Sequence, residues 1–246
     1  MIGDSLLQRV QRLWVGLAGT PVVFRDAAVE VVVSPHALLC PPGWVGIVAL
    51  EDAVIATAPD RDVAETVRRA LNDLPTAAMT DPVRVRGMLP VDKTLGPATL
   101  AYCDAASFRP ADSTTVEMIP ADHADLETLL ARVPADDADE SGLAEITSPA
   151  FVVRTATEVT AAAGYRLWPG NTAQISVLAA PAERGRGLAR VVATAAITNA
   201  LQSDLLPQWR ARPEASRRVA RALGFHELGS QLSIRLTPVD GHGEPS

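Results

Sequence analysis

The chain has 246 residues, 48% of them apolar and 4% aromatic, and carries a formal net charge of −7. That length buries a sizeable core, at the upper end for one domain or comfortable for two small ones, and the acidic total argues against a nucleic-acid binder. No apolar run reaches transmembrane length, and Arg9 and Arg12 interrupt the N-terminal apolar positions, so the expectation is a cytoplasmic protein with neither membrane span nor signal peptide.

In chain order, Leu6, Leu7, Val10, Leu13, Trp14 and Leu17 form a helical stripe ending near Gly19, followed by a strand at Val29 to Val33. A hairpin-like pair, Val45 to Leu50 and Ala53 to Ala58, precedes a helix from about Asp62 to Leu74 with Asp60 or Arg61 near its start. Thr99 to Cys103 reads as another strand. The stretch Ala105 to Ser113, with Pro110 and small polar residues, is the best candidate boundary. No chemical motif precedes it, and His36, Trp44 and Tyr102 read as packing or capping residues. Cys40 and Cys103 lack CxxC or His spacing, which points to buried free thiols and to no metal.

Beyond the boundary come a strand (Thr115 to Ile119), a helix (Ala124 to Ala131), a polar acidic connection and strands at Phe151 to Arg154, Thr160 to Tyr165 and Thr172 to Ala179. A Gly-containing turn then leads into a long apolar helix from Leu188. A strand (Leu205 to Ala211), a helix (Glu214 to Leu223) opened by Pro213, and a last strand (Leu232 to Leu236) complete the order. The turn, Arg184-Gly185-Arg186-Gly187-Leu188-Ala189, is the most informative feature. A strand feeding glycines at a helix start leaves backbone N–H groups unpaired where the helix dipole favours an anion. Gly185 and Gly187 let a ligand approach the backbone, and Arg184, Arg186 and Arg190 add charge. A P-loop would need Lys and Ser or Thr where Leu188 and Ala189 stand; a dinucleotide fingerprint would need Gly or Ala at Arg190.

Pro181-Ala182-Glu183-Arg184-Gly185-Arg186-Gly187, following a strand, and Ser216 to Phe225, ending in Leu223-Gly224-Phe225, together resemble the cofactor motif and last-helix signature of the GNAT superfamily of acyl-CoA-dependent acetyltransferases. The resemblance covers about half the chain. It implies an α/β (α+β) fold with a central mixed, mostly antiparallel sheet flanked by helices at residues 114–238. An N-terminal α/β region of unknown role at 1–110, read as a degenerate half of the same fold, precedes it, and a disordered tail at 239–246 follows.

The resemblance also implies acetyl-CoA as co-substrate, no metal, and direct attack of a primary amine of a small molecule or protein on the thioester. The backbone of Val177, Leu178 and Ala179 would pair with the pantetheine arm, and Arg184, Gly185, Arg186, Gly187, Leu188, Ala189 and Arg190 would hold the pyrophosphate. From Ala150 to Leu236 eleven Arg face five acids, the charge balance a polyphosphate cofactor requires; Arg217, Arg218 and Arg221 read equally well as the wet face of a helix.

Two family positions differ. Pro213 stands where the family often has Asn, and Ala220 where it often has a thiolate-protonating Tyr, leaving Ser216, a water or another group to return the proton. Glu140 and Glu145 lie where the resemblance places acceptor contacts, and Glu145 is the preferred base, with a solvated carboxylate as its bland alternative; His226 is a further candidate. Trp168 and Trp209 either wall the acceptor cleft or fill core. The partners expected are acetyl-CoA and an amine, with no nucleic acid and no membrane, oligomeric state staying open with a homodimer included. A non-catalytic acyl-CoA-binding module is the alternative function.

Overall fold

A computed structural model describes residues 5–111 and 116–237. Thr115, the first residue of the strand expected to Ile119, and the tail expected at 239–246 lie outside the described residues. The chain divides into two compact units. Among the described residues, one comprises residues 99–227 with residues 5 and 6; the other comprises residues 7–98 and 228–237.

In the second unit, helix α1 (Leu6–Ala18) buries Val10, Leu13, Trp14 and Leu17 on one face, as its spacing predicts. Strands β1 (Val29–Val33), β2 (Val45–Leu50) and β3 (Ala53–Ala58) match the sequence reading. β2 and β3 form an antiparallel hairpin and β1 lies parallel to β3. Helix α2 (Arg61–Asn72) starts at Asp60, whose carboxylate accepts from Val63 N–H at 2.9 Å. Helix α3 (Pro82–Met88) was not foreseen, although Asp81 caps it and Pro82 opens it.

In the first unit, β4 (Val91–Tyr102) contributes Thr99–Tyr102 to one margin of a sheet that continues through β5 (Glu117–Ile119), β6 (Ala150–Thr155), β7 (Glu158–Trp168), β8 (Thr172–Ala179) and β9 (Leu206–Ala211). The spatial order from β4 is β9, β8, β7, β6, β5. All pairings are antiparallel except that of β8 with β9. These two strands are joined by α6 (Leu188–Gln202), because parallel neighbours need a crossover. Helix α6 lays Ala193, Ile197 and Ala200 against Tyr165, Ile175 and Trp209, and Val192 and Ala196 against Phe151, Ala161 and Ala163. Helix α4 (Ala124–Ala131) covers the other face, where Leu126 and Leu129 join Leu143, Ile146, Ala162 and Leu178. Helix α5 (Ala135–Ser141) occupies the expected acidic connection, and α7 (Glu214–Ala222) follows β9.

The units divide the chain differently from a cut at 105–113. The last strand, β10 (His226–Leu236), pairs antiparallel with β2 from Gly229 opposite Leu50 to Ile234 opposite Val45. Leu232 and Ile234 are thereby buried with the N-terminal core of Val45, Ile47, Val54 and Val67. A pairing between residues so distant in sequence leaves no local signal.

Candidate functional site

The ladder between β8 and β9 is short. It runs from Thr172 opposite Leu206 to Gln174 opposite Gln208 and then stops. Pro207, inside it, has no N–H to give. Beyond that point β8 remains paired with β7 as far as Ala179, so its other edge is open. Ala180 N–H donates to Thr160 O at 2.9 Å. Antiparallel alternation makes 178 with 162 and 176 with 164 the bonded pairs, so Val177 and Ala179 turn their N–H and C=O toward the gap.

At the end of β8 the turn Pro181–Glu183 delivers the chain to Gly185 and Gly187, both at φ +80°. Gly187 is the N-cap of α6. A Cβ on either glycine would meet nothing within 4 Å, so the left-handed backbone, not crowding, is what demands glycine there. Among the described residues, the N–H groups of residues 185–189 find no acceptor. They form the open donor nest that the sequence implies.

The nest opens onto a cleft of about 490 Å³. Its lining gathers Val177, Leu178, Ala179, Arg184, Gly185, Gly187, Leu188, Ala189 and Arg190 from the sequence-expected cofactor set, together with Ser216. Arg186 is not part of the lining; it pairs with Glu183. Arg184 Nη2 lies 2.7 Å from Asp137, whereas Arg190 and Arg218 have no carboxylate partner among the described residues. The positive charge offered to an anion is therefore smaller than an Arg count suggests.

Ser216 projects from the first turn of α7, and its Oγ accepts Trp209 Nε1–H at 2.9 Å. Trp209 is itself held edge-on to Phe225, with ring centroids 5.5 Å apart. The hydroxyl keeps its own proton to donate. Glu145 is not brought to this cleft. It ends the short turn Leu143–Glu145 and pairs with exposed Arg166. Glu140 lines the cleft instead, paired with Arg212. The reason is the left-handed Gly142 (φ +62°), which stops α5 between the two; linear spacing cannot show on which side each lies. His226 lines a separate hollow with Arg109 and Arg221.

Two features escaped the sequence reading. Arg210 lines the cleft, its Nε buried without a hydrogen-bond partner and its guanidinium 5.3 Å above the Trp168 ring. Burial pushes its pKa down. Gln208 donates to Tyr102 Oη at 2.8 Å, and its Oε1, like that of Gln174, is buried without a donor. Desolvation pushes the Cys103 thiol up to about 12 and the Cys40 thiol up to about 11; both are free, Cys103 buried as expected and Cys40 only partly so. Among the described residues, no three His, Cys, Asp or Glu side chains converge as metal ligands, and no helix is long and apolar enough to cross a membrane.

Residues 149–230 match the family model of the GNAT acetyltransferases. This segment is a GNAT acetyltransferase domain. It holds the gap between β8 and β9, the glycine nest and α7. No curated protein matches the chain. Among solved structures, the chain is similar to a protein described as a GNAT-family acetyltransferase from Novosphingobium aromaticivorans, at 21% identity and a TM-score of 0.49 over 58% of this chain and 65% of that one. A GCN5-related N-acetyltransferase-like protein from Streptococcus suis is 18% identical, with a TM-score of 0.48 over 93% of this chain and 98% of that one. An acetyltransferase from Salmonella typhimurium, solved with acetyl-CoA, is 20% identical with a TM-score of 0.37, covering 54% and 97%. The chain thus spans just under two thirds of the first of these relatives.

Proposed function

We propose that the GNAT domain transfers an acetyl group from acetyl-CoA to an amine. The observation that carries this reading is the parting of β8 from β9 after Gln174 and Gln208, directly upstream of the unpaired N–H groups at the start of α6. A thioester arm fits an open strand edge, and a pyrophosphate fits the nest. In this reading Val177 and Ala179 offer N–H groups to the arm and to the carbonyl oxygen as it gains charge. The amine nitrogen attacks the carbonyl carbon, the carbon–sulfur bond breaks, and the departing thiolate takes a proton. Ser216, oriented by Trp209, stands where it can supply that proton, in a domain whose Ala220 has no hydroxyl. Glu140 takes the proton from the amine, in place of Glu145.

A second reading, a module that binds acyl-CoA without turnover, draws on Ala220 and on the Arg212 guanidinium that holds Glu140. Calorimetric titration with acetyl-CoA tests what both readings share. Saturable binding by the wild type, weakened about tenfold or more by Ala189→Glu at the nest, is the expected result. No binding by folded wild type overturns both. Acetyl transfer to an amine in a thiol-release assay then separates the transferase from the silent module.

A further inference from the structure

The arginines around the cleft differ in one respect. Arg184, Arg186 and Arg212 are each paired with a carboxylate, and Arg190 and Arg218 are exposed to water. Arg210 has neither arrangement: it is half-buried, its Nε is enclosed without an acceptor, and no acid pairs with it among the described residues. Withdrawing a cation from water without an anion costs free energy that a protein recovers only when an anion arrives. The lowered pKa of the guanidinium has the same origin.

Position limits which anion that is. Trp209 packs toward α7 with Phe225, so its neighbour Arg210 faces the opposite side of the strand. It lies two residues past the last paired position, Gln208 with Gln174. The nest for phosphate starts only after Ala179, about 10 Å further along β8 at 3.3 Å per residue. Arg210 therefore stands beside the parting of the strands, on the side of Trp168 and away from Ser216, and not beside the nest.

We propose that Arg210 binds a carboxylate of the acceptor, so that the substrate is an amino-acid-type amine whose nitrogen lies a few bonds from a carboxylate. This rests on the reading of the cleft as an acetyl-CoA transferase site. The planar guanidinium offers paired N–H donors that fit a carboxylate, and the Trp168 ring beneath fixes its plane and keeps water from one face. Glu140, on the same cleft, meets the amine end. An acceptor lacking the carboxylate leaves the cation buried and unpaired, and this is the source of discrimination.

The test measures thiol release from acetyl-CoA with a panel of α-, β- and ω-amino acids, each matched with its primary amide. The expected result is a preference for the acid of about 100-fold or more in kcat/KM, with the difference mainly in KM. Arg210→Met abolishes that preference, and Arg210→Lys, which keeps the charge but not the fork, reduces it; neither changes the calorimetric affinity for acetyl-CoA. If Arg210→Met fails to fold, the lysine variant and the wild-type acid-to-amide ratio decide. Equal turnover of acid and amide, no acetylation of any carboxylate-bearing amine by protein that binds acetyl-CoA, or a preference that survives in the variants overturns the assignment. Failure of wild type to bind acetyl-CoA at all is the distinct result that overturns the transferase reading beneath it.

Discussion

The exchange of Glu145 for Glu140 is decided by five residues of chain. Both carboxylates precede β6, but Glu140 sits on the last turn of α5 facing the cleft, and Glu145 lies past Gly142 against Arg166. Glu140→Gln should lower kcat about 100-fold with the affinity for acetyl-CoA unchanged, and Glu145→Gln should leave kcat within about twofold; steady-state rates beside calorimetry check the pair. A second carboxylate has a structural role. Glu227 accepts from Arg217 Nε at 3.0 Å and Nη2 at 2.6 Å, and that guanidinium, helped by Arg221, holds its pKa below the ordinary value. A depressed carboxyl pKa contributes stability above the unfolded value of about 4.3, lost as pH falls through the folded value. The pair is partly exposed, so the contribution is under about 1 kcal/mol. Urea unfolding at pH 6 and pH 3 should show the stability gap between wild type and Glu227→Gln shrinking at the lower pH.

At the scale of elements, glycine conformation separates two kinds of turn. Gly224, after α7, has φ +89°, and an added Cβ would lie 1.9 Å from Ser107 O. Both strain and collision oppose any side chain, so Gly224→Ala should cost roughly 2–4 kcal/mol by denaturant unfolding. Gly187 shares the left-handed backbone without the collision, so Gly187→Ala should cost only about 1–2 kcal/mol. The strands and the amphipathic helices were legible because burial leaves a local mark, an apolar stripe or, in β2 and β3, which are buried at every position, a short apolar run: β1, β2, β3, β8 and α4 lie where the pattern places them. Helix α5 was not, because it buries no residue and so carries no apolar stripe. Helix α3 buries only Val85 in seven residues, too little periodicity for its cap to stand out.

At the scale of the whole molecule, a net charge of −7 coexists with eleven Arg and five acids between Ala150 and Leu236. The proposed ligand is a polyanion, so its binding should weaken about three- to tenfold between 50 and 500 mM NaCl, as local attraction is screened. Titrations at the two salt concentrations check this, and an affinity that rises with salt would show that the acidic total dominates. The glycine nest, the strand before it and the helix after it were determined by the sequence alone, because each depends on residues adjacent in the chain: donors, φ angles and apolar spacing. Three things only the tertiary structure decided. The pairing of β10 with β2 joins residues about three quarters of the chain apart. The end of the β8–β9 ladder opens the cleft. The burial of Arg210 without a counter-charge depends on which strand faces lie over Trp168. Strand partners and side-chain surroundings are set by non-local contacts, and local periodicity carries no record of them.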